Sequence, residues 1–313
     1  MHVFLIRRVL AAVPVIMVVT VFVFALLHLA PGDPAAIIAG DLATAEDIAK
    51  IRARLGLDQP LLIQFFTWIG QLLQGDLGHS IFSAHPVTQL IGQRLEPTLT
   101  LTAMTLIISV TLAVPLGVIA AWRVGSWIDR AVMGFAVLGF SVPGFVIGYV
   151  LIWLFAIELD WLPVQGYTPL AQGFWPWLSN ILLPSATLAL AYMALIARIT
   201  RASMLETLSQ DYVRTAHAKG LATLNVLIGH ALRNAAVPIV TVIGIGVALL
   251  IGGVVVTESV FAIPGLGRLT VDAILRRDYP VIQGIILVFS GAYVLVNLVV
   301  DMLYTVLDPR IRY

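Results

Sequence analysis

The sequence predicts an all-α polytopic membrane protein of six transmembrane helices with both chain ends on the cytoplasmic side. Three observations carry this: an apolar composition, six long runs without charge, and the one-sided placement of arginine and lysine. Of 313 residues, 60% are hydrophobic and 11% charged. A soluble domain carries about 25% charged residues, so this chain has too little polar surface to cover a water-soluble globule, and lipid is the solvent for much of its exterior. It has no cysteine, which excludes disulfides, thiolate zinc sites and thiol catalysis.

A helix needs about 20 mostly apolar residues to cross a bilayer. Charge-free runs of that size lie between Arg8 and Asp33, between Glu96 and Arg123, and between Arg130 and Glu158. Between Asp160 and Arg198 the first half is punctuated by Pro163, Gly166, Pro169, Gly173 and Pro176 and reads as loop, leaving a fourth span from about Ile181 to Ala197. The fifth lies between Arg233 and Glu258 and the sixth from about Val281 to Leu307. Every amide in lipid must be bonded within its own segment, so these runs are helices. The first apolar stretch, Val9 to Ala30, exceeds the length of a signal-peptide core and is read as a retained anchor.

Orientation follows from the bases. With the N-terminus inside, the cytoplasmic segments are 1–8, 122–131, 198–235 and 308–313, which hold eleven bases against Asp129, Glu206, Asp211 and Asp308. The opposite side holds seven bases and twelve acids. The resulting division is an N-terminal helix over 1–30, an external loop with short helices over 31–98, a transmembrane core over 99–307 that includes the cytoplasmic loop 198–235, and a cytoplasmic tail over 308–313. In the external loop, Thr44 is placed to cap a helix with Glu46 and Asp47 in its first turn. Leu61 to Leu73 is apolar enough to lie on the membrane or pack on the bundle.

The internal loop reads as two short helices. Asp211 opens the first, Lys219 stands in its last turn, and Gly220 occupies the position where a helix commonly ends. Thr223 is placed to cap the second, whose Leu224, Leu227, Ile228, Ala231 and Leu232 follow helical spacing on one face, opposite Asn225, Gly229 and Arg233 with His230 at the edge. Periodicity fits both an amphipathic connector on the inner membrane surface and a docking element for a cytoplasmic partner.

The stretch DYVRTAHAKGLATLNVLIGHALRNAAVP, residues 211–238, resembles the cytoplasmic EAA loop of binding-protein-dependent ABC importers, in the form seen in dipeptide, oligopeptide and nickel permeases. Further stretches of the same likeness run from end to end: LAPGDPA (29–35), LGLDQPLLIQ (55–64), GDLGHS (75–80), GSWIDR (125–130), TRASMLETLSQDYVRTA (200–216), ESVFAIPGLGRLTVDAILRRDYPVIQG (258–284) and LVVDMLYTVLDPRIRY (298–313). The resemblance implies the type I ABC importer (MetI-like) permease fold, in a bacterial cytoplasmic membrane. It also implies a sister permease completing a heterodimer, two ATPase subunits carrying ATP and magnesium, and an external solute-binding protein, with di- or oligopeptides as cargo; nickel chelates or glutathione are the alternative cargo. The family's Glu-Ala-Ala corresponds to Arg214, Thr215 and Ala216, and its glycine to Gly220. Its proline falls near Arg233, whereas the nearest proline here is Pro238. By this resemblance the ATPase-coupling residues are Asp211, Tyr212, Arg214, Thr215, Ala216, Ala218, Lys219, Gly220, Leu221 and Arg233. A small-residue face of Ala216, Ala218 and Gly220 would seat on the partner, and Arg214 and Lys219 would pair with its acids.

Several function classes find no support in the residues. No G-x-x-x-x-G-K-[ST] occurs, and the glycine-rich PGLGRLT at 264–270 lacks that spacing and the lysine, so ATP chemistry must come from another subunit. The six histidines form no H-x₃-H or H-E-x-x-H pattern, and no G-x-S-x-G nucleophile setting appears. Neither an enzyme site nor a nucleic-acid partner is expected. Asp301, with Asn297 one turn earlier on the same face, is the acid set well inside a span. It serves either a helix-bonding role or, in a different class of protein, the coupling site of a secondary transporter. His28 suits a membrane interface, and Trp161, Trp175 and Trp177 suit an aromatic belt.

Overall fold

The computed structural model describes residues 2–29, 33–39, 44–54 and 56–307. The expectations for Ala30, for 31–32, 40–43 and 55 of the external loop, and for the tail 308–313 lie outside these. Thirteen α-helices follow one another among the described residues: α1 (His2–Leu29), α2 (Pro34–Ala39), α3 (Ala45–Arg54), α4 (Leu61–Leu73), α5 (Val87–Trp122), α6 (Trp127–Ser141), α7 (Gly144–Ile152), α8 (Phe174–Leu208), α9 (Asp211–Ala218), α10 (Thr223–Asn225), α11 (Arg233–Val260), α12 (Leu266–Arg276) and α13 (Tyr279–Leu307). Helix α7 runs on as a π-helix over Trp153–Glu158, and α10 as another over Val226–Leu232.

Among the described residues, five helical stretches are long and apolar enough to span a membrane, and α6 with α7 makes a sixth if the bent pair is taken as one span. The bend of 105° has a local cause. Val142 is extended (φ −96, ψ 125) because Pro143 disfavours the helical region for the residue before it and supplies no N–H. The third span is therefore broken, where the sequence suggested one rod.

Two boundaries also move. Helix α5 begins at Val87, so the division expected between 98 and 99 falls inside a continuous helix that carries Arg94 and Glu96. Helix α8 begins at Phe174, because a proline in the first turn gives up an N–H that would be unpaired anyway. Trp175, Pro176 and Trp177 are thus helical, and the loop ends at Gly173. Trp161 and Trp175 are exposed, as a belt requires, but Trp177 packs against the core. At its other end α8 passes through Arg198 and Arg201 to Leu208, a rod about 50 Å long at the α-helical rise.

Small residues let these rods approach closely. A Cβ at Gly117 of α5 would stand 2.6 Å from Thr200 Cβ on α8, and one at Gly139 of α6 would stand 2.8 Å from Ala194 Cβ. Ala113, Ala120, Ala189 and Ala197 are fully buried in this seam. On the other side α11 and α13 close through Gly244, facing Val300.

Helix α1 packs on α13 and is pinned near both ends. Gln283 donates to the Val23 carbonyl at 3.0 Å, and Arg8 pairs with Asp301 at 2.8 Å. The acid in the last span is therefore part of an interhelical ion pair, half exposed on the arginine side. That is the helix-bonding role, with the carboxylate largely covered by the two helices. Asp301→Asn should retain transport to within about twofold with an unchanged pH profile in proteoliposomes; a lost pH response would point instead to proton coupling.

Thr44 caps α3 as expected, accepting from the Asp47 N–H at 3.3 Å while Asp47 accepts from the Thr44 N–H at 3.1 Å. Of the two expectations for α4, packing on the bundle is the one observed. Phe65 and Trp68 stack on Phe24 of α1 (ring centroids 5.2 and 5.7 Å), and His28 meets Gln64 at 3.1 Å. Leu62, Phe66 and Leu73 point away and are exposed.

Helix α12 lies between α11 and α13, at the end of the molecule opposite α9, and a buried carboxylate holds each of its ends. At its start Glu258, fully buried, accepts from the Thr98 hydroxyl at 2.6 Å and from the Arg268 N–H at 2.9 Å. Thr98 in turn accepts from the Leu266 N–H at 2.8 Å. These are the N–H groups a helix start leaves unpaired. At its far end Asp278 is buried and accepts from the Ser80 hydroxyl at 2.5 Å and the Ile81 N–H at 3.2 Å, which ties the external loop to the helix.

Candidate functional site

The cytoplasmic surface gathers the residues singled out between 211 and 233. Helix α9 starts after the extended Gln210, with Asp211 in the first turn, where its charge complements the helix dipole. It ends as the sequence predicts: Gly220 has φ +77, its N–H reaches the His217 carbonyl at 2.9 Å, and the Leu221 N–H reaches Ala216 at 3.3 Å. The left-handed turn is one that glycine adopts at little cost.

Val213 and Ala216 form the inner face of α9 and pack with the fully buried Val226 and with Leu208. Tyr212 accepts from the Asn234 amide at 2.9 Å, so the helix is fastened to the start of α11 as well. The outer face is Asp211, Tyr212, Arg214, Thr215, His217, Ala218 and Lys219, all exposed. The exposed Arg214–Asp211 pair at 3.5 Å adds little stability. One expectation is corrected. Ala216 is 7% exposed and serves the chain's own core, so the small-residue face of Ala216, Ala218 and Gly220 is divided between inside and outside.

The segment after α9 departs from its expected periodicity. Thr223 is the first helical residue and Ala222 the cap. Beyond it the π-helix over Val226–Leu232, with its wider i→i+5 turn, rotates the apolar stripe. Val226, Leu227 and Ala231 are buried, while Leu224 and Ile228 are 65% and 55% exposed. The surface beside α9 therefore carries exposed Leu221, Leu224 and Ile228 with Arg214, Lys219 and Arg233 among them. Basic groups interleaved with exposed apolar side chains make a surface suited to a protein partner.

Behind this surface stands an ion pair that sequence reasoning passed over. Arg201 grips Asp129 with two bonds, at 2.5 and 2.7 Å. The Gly125 N–H also donates to Asp129 at 2.9 Å, and the Asp129 N–H reaches the Ser126 hydroxyl at 3.4 Å. The short α5–α6 turn is thereby locked to α8 ten residues before α9 begins. The Ser126-x-x-Asp129 spacing of a helix cap was a signal for Asp129, but nothing in the sequence placed Arg201 opposite it.

Among the cavities of the described residues, two border α7, α8, α11 and α12. One of about 330 Å³ lies between α7, α8 and α11, lined by Phe145, Thr187, Leu188, Tyr192 and Thr257 among others. The other, about 160 Å³, is bounded by Phe82, Arg94, Asp272 and Arg276 beside α12.

Comparison with known proteins agrees with this architecture. Residues 113–313 match the family model described as binding-protein-dependent transport system inner membrane component, and residues 1–102 match the N-terminal model of the same membrane components. The "Probable peptide ABC transporter permease protein y4tP" of Sinorhizobium fredii is 56% identical over 313 residues, covering all of both chains. The glutathione transport system permease protein GsiC of Escherichia coli is 47% identical over 311 residues, 99% of each. Among solved structures, an inward-facing MetNI methionine ABC transporter chain superposes with TM-score 0.58 at 17% identity, over 71% of this chain and 97% of that one. At that identity the likeness speaks for the fold, and the family rests on the sequence matches. The chain belongs to the binding-protein-dependent transport system inner membrane components, and within them it is an ABC importer permease of the peptide family.

Proposed function

We propose that this permease forms half of a pathway through the bacterial cytoplasmic membrane, completed by a sister permease, fed by an external solute-binding protein and driven by two ATPase subunits that carry ATP and magnesium. Di- or oligopeptides are the proposed cargo, which the 56% identity to a peptide transporter permease over the full chain supports. The equally complete match to a glutathione permease supports a second reading, glutathione, itself a small peptide. The apolar cavity between α7, α8 and α11, with Thr187, Tyr192 and Thr257 in its wall, offers the surface along which such cargo would pass.

The observation that carries the coupling reading is the construction of α9. Its inner face is packed and its outer face, with Arg214 and Lys219, is exposed. A short helix fixed on its own scaffold moves as a body when a partner pushes it. The cavity of the ATPase would receive the outer face of α9, with Arg214, Lys219 and Arg233 facing its acids.

Gly220→Val tests this at a position where an added Cβ meets nothing within 4 Å. The cost is conformational, about 1–2 kcal/mol for a left-handed residue, and it distorts the end of α9. Combined with Arg214→Glu, the variant is expected to insert normally, retain the sister permease, and lose roughly tenfold or more in transport-coupled ATPase activity. Full coupling in this double variant would sink the assignment. Uptake into proteoliposomes holding the complete transporter, with dipeptide and glutathione in competition, separates the two cargo readings.

A further inference from the structure

The end of α12 is an unusual surface for the outer side of this chain. The sequence assigns that side seven bases against twelve acids, of which Glu258 and Asp278 are buried, and three of the seven bases, Arg268, Arg276 and Arg277, belong to α12 and its cap. The helix turns Leu266, Leu269 and Ala273 inward. It leaves Ile274 and Leu275 outward at 55% and 78% exposed, followed by the exposed Arg276 and Arg277. Phe82, 51% exposed, borders with Arg276 the cavity of about 160 Å³.

This tip is held rigidly. Asp278 fastens it to Ser80 and Ile81, and Glu258 with Thr98 fastens the start of the helix. Arg277 itself is left-handed (φ 57), while the Asp278 N–H reaches back to Ala273 at 2.8 Å. That is the helix-ending position where glycine is favoured. Arginine stands there in place of the residue such a turn favours.

We propose that the tip of α12, comprising Ile274, Leu275, Arg276 and Arg277 with Phe82 beside it, receives an acidic face of the solute-binding protein. The inference rests on the importer reading above. Exposed apolar side chains ringed by arginine are the chemistry of a protein-binding hot spot, and the adjoining cavity can take one anchoring side chain. On an outer side that is otherwise acid-rich, an acidic partner is repelled elsewhere and drawn to this spot, which fixes its orientation as well as its encounter. A lipid surface is the poorer fit. A helix lying on lipid presents a long apolar stripe, whereas the stripe of α12 is spent on its own core.

The test uses the complete transporter in nanodiscs with its own binding protein. Arg277→Gly removes the side chain while giving the turn the residue it favours, so its thermal stability should equal or exceed that of the parent. Arg277→Gly combined with Arg276→Glu should weaken binding at least about tenfold and flatten its salt dependence. Lys50→Glu, on the exposed outer face of α3, should stay within about twofold. Leu275→Cys, in a chain without cysteine, carries a maleimide photo-crosslinker and should capture the binding protein. Parent-like binding by the double variant, an equal loss with Lys50→Glu, or capture of the sister permease or lipid in place of the binding protein would overturn the proposal. If the unaltered transporter binds no binding protein at all, the importer reading fails instead.

Discussion

Substituting Gly265 by alanine is expected to unseat α12 and to reduce ATP-driven uptake by roughly tenfold or more. A Cβ on this residue would overlap the Glu258 carboxylate, and one on Gly267 would stand 2.6 Å from the Val255 backbone. Neither obstacle yields easily. Glu258 is fully buried and held by Thr98 and the Arg268 N–H, and Val255 presents main chain. Overpacking of this kind costs about 1–3 kcal/mol, and here it also pulls an acceptor away from the first N–H groups of α12. Each such donor left buried and unpaired costs a further 1–3 kcal/mol or so. Thr98→Val probes the same joint more gently, because it keeps the shape and removes the one hydroxyl that serves both Glu258 and the Leu266 N–H. Thermal unfolding in detergent and protease cleavage around 261–268 would report the loosened joint. An unchanged melting temperature for Gly265→Ala would contradict this packing.

That joint also marks where the sequence stops being informative. Long apolar runs specify helices because lipid offers the backbone no other partner, and the basic loops orient them, so α1, α11 and α13 emerge close to their outlines. The pattern fails where a charge is buried with its partners. Glu258 ends a charge-free run and reads as a boundary, yet it lies inside α11, because the groups that neutralise its burial are 160 residues upstream and ten downstream. Arg94 and Glu96 similarly concealed the early start of α5, and Pro176 that of α8. On the cytoplasmic side, Gly220 and the ends of α9 were legible from local chemistry. The inward turn of Ala216 was not, since it depends on Val226 across the loop. Nor was the π-helix, whose wider turn displaces Leu224 and Ile228 from the face that 3.6-residue spacing assigns them.

Asp129→Ala should abolish the coupling of ATP hydrolysis to transport while leaving a folded, membrane-inserted chain of reduced stability. Asp129 is 4% exposed and joins two elements: α8, through Arg201, and the α5–α6 turn, through the Gly125 N–H and the cap at Ser126. The two bonds between Arg201 and Asp129 form a charge-assisted fork. Removing one member of such a pair leaves the other buried and unmatched, at a cost of about 3–5 kcal/mol; the partial exposure of Arg201, 23% of its side chain, favours the lower end. Arg201→Lys gives up the two-pronged geometry and should fall between the parent and the alanine variant. The exchanged pair, Asp129→Arg with Arg201→Asp, should not recover, because position 129 must also accept from Gly125, which an arginine cannot do. Recovery in the exchanged pair would mean that charge attraction alone matters there. The expected failure follows from position: α8 is continuous from Phe174 to Leu208, and α9 begins at Asp211, so any push on α9 enters a rod whose alignment Arg201 fixes against α6. Loosening that fix should let the partner subunits hydrolyse ATP while the rod no longer carries the movement into the membrane, a separation read by measuring hydrolysis and uptake on the same proteoliposomes.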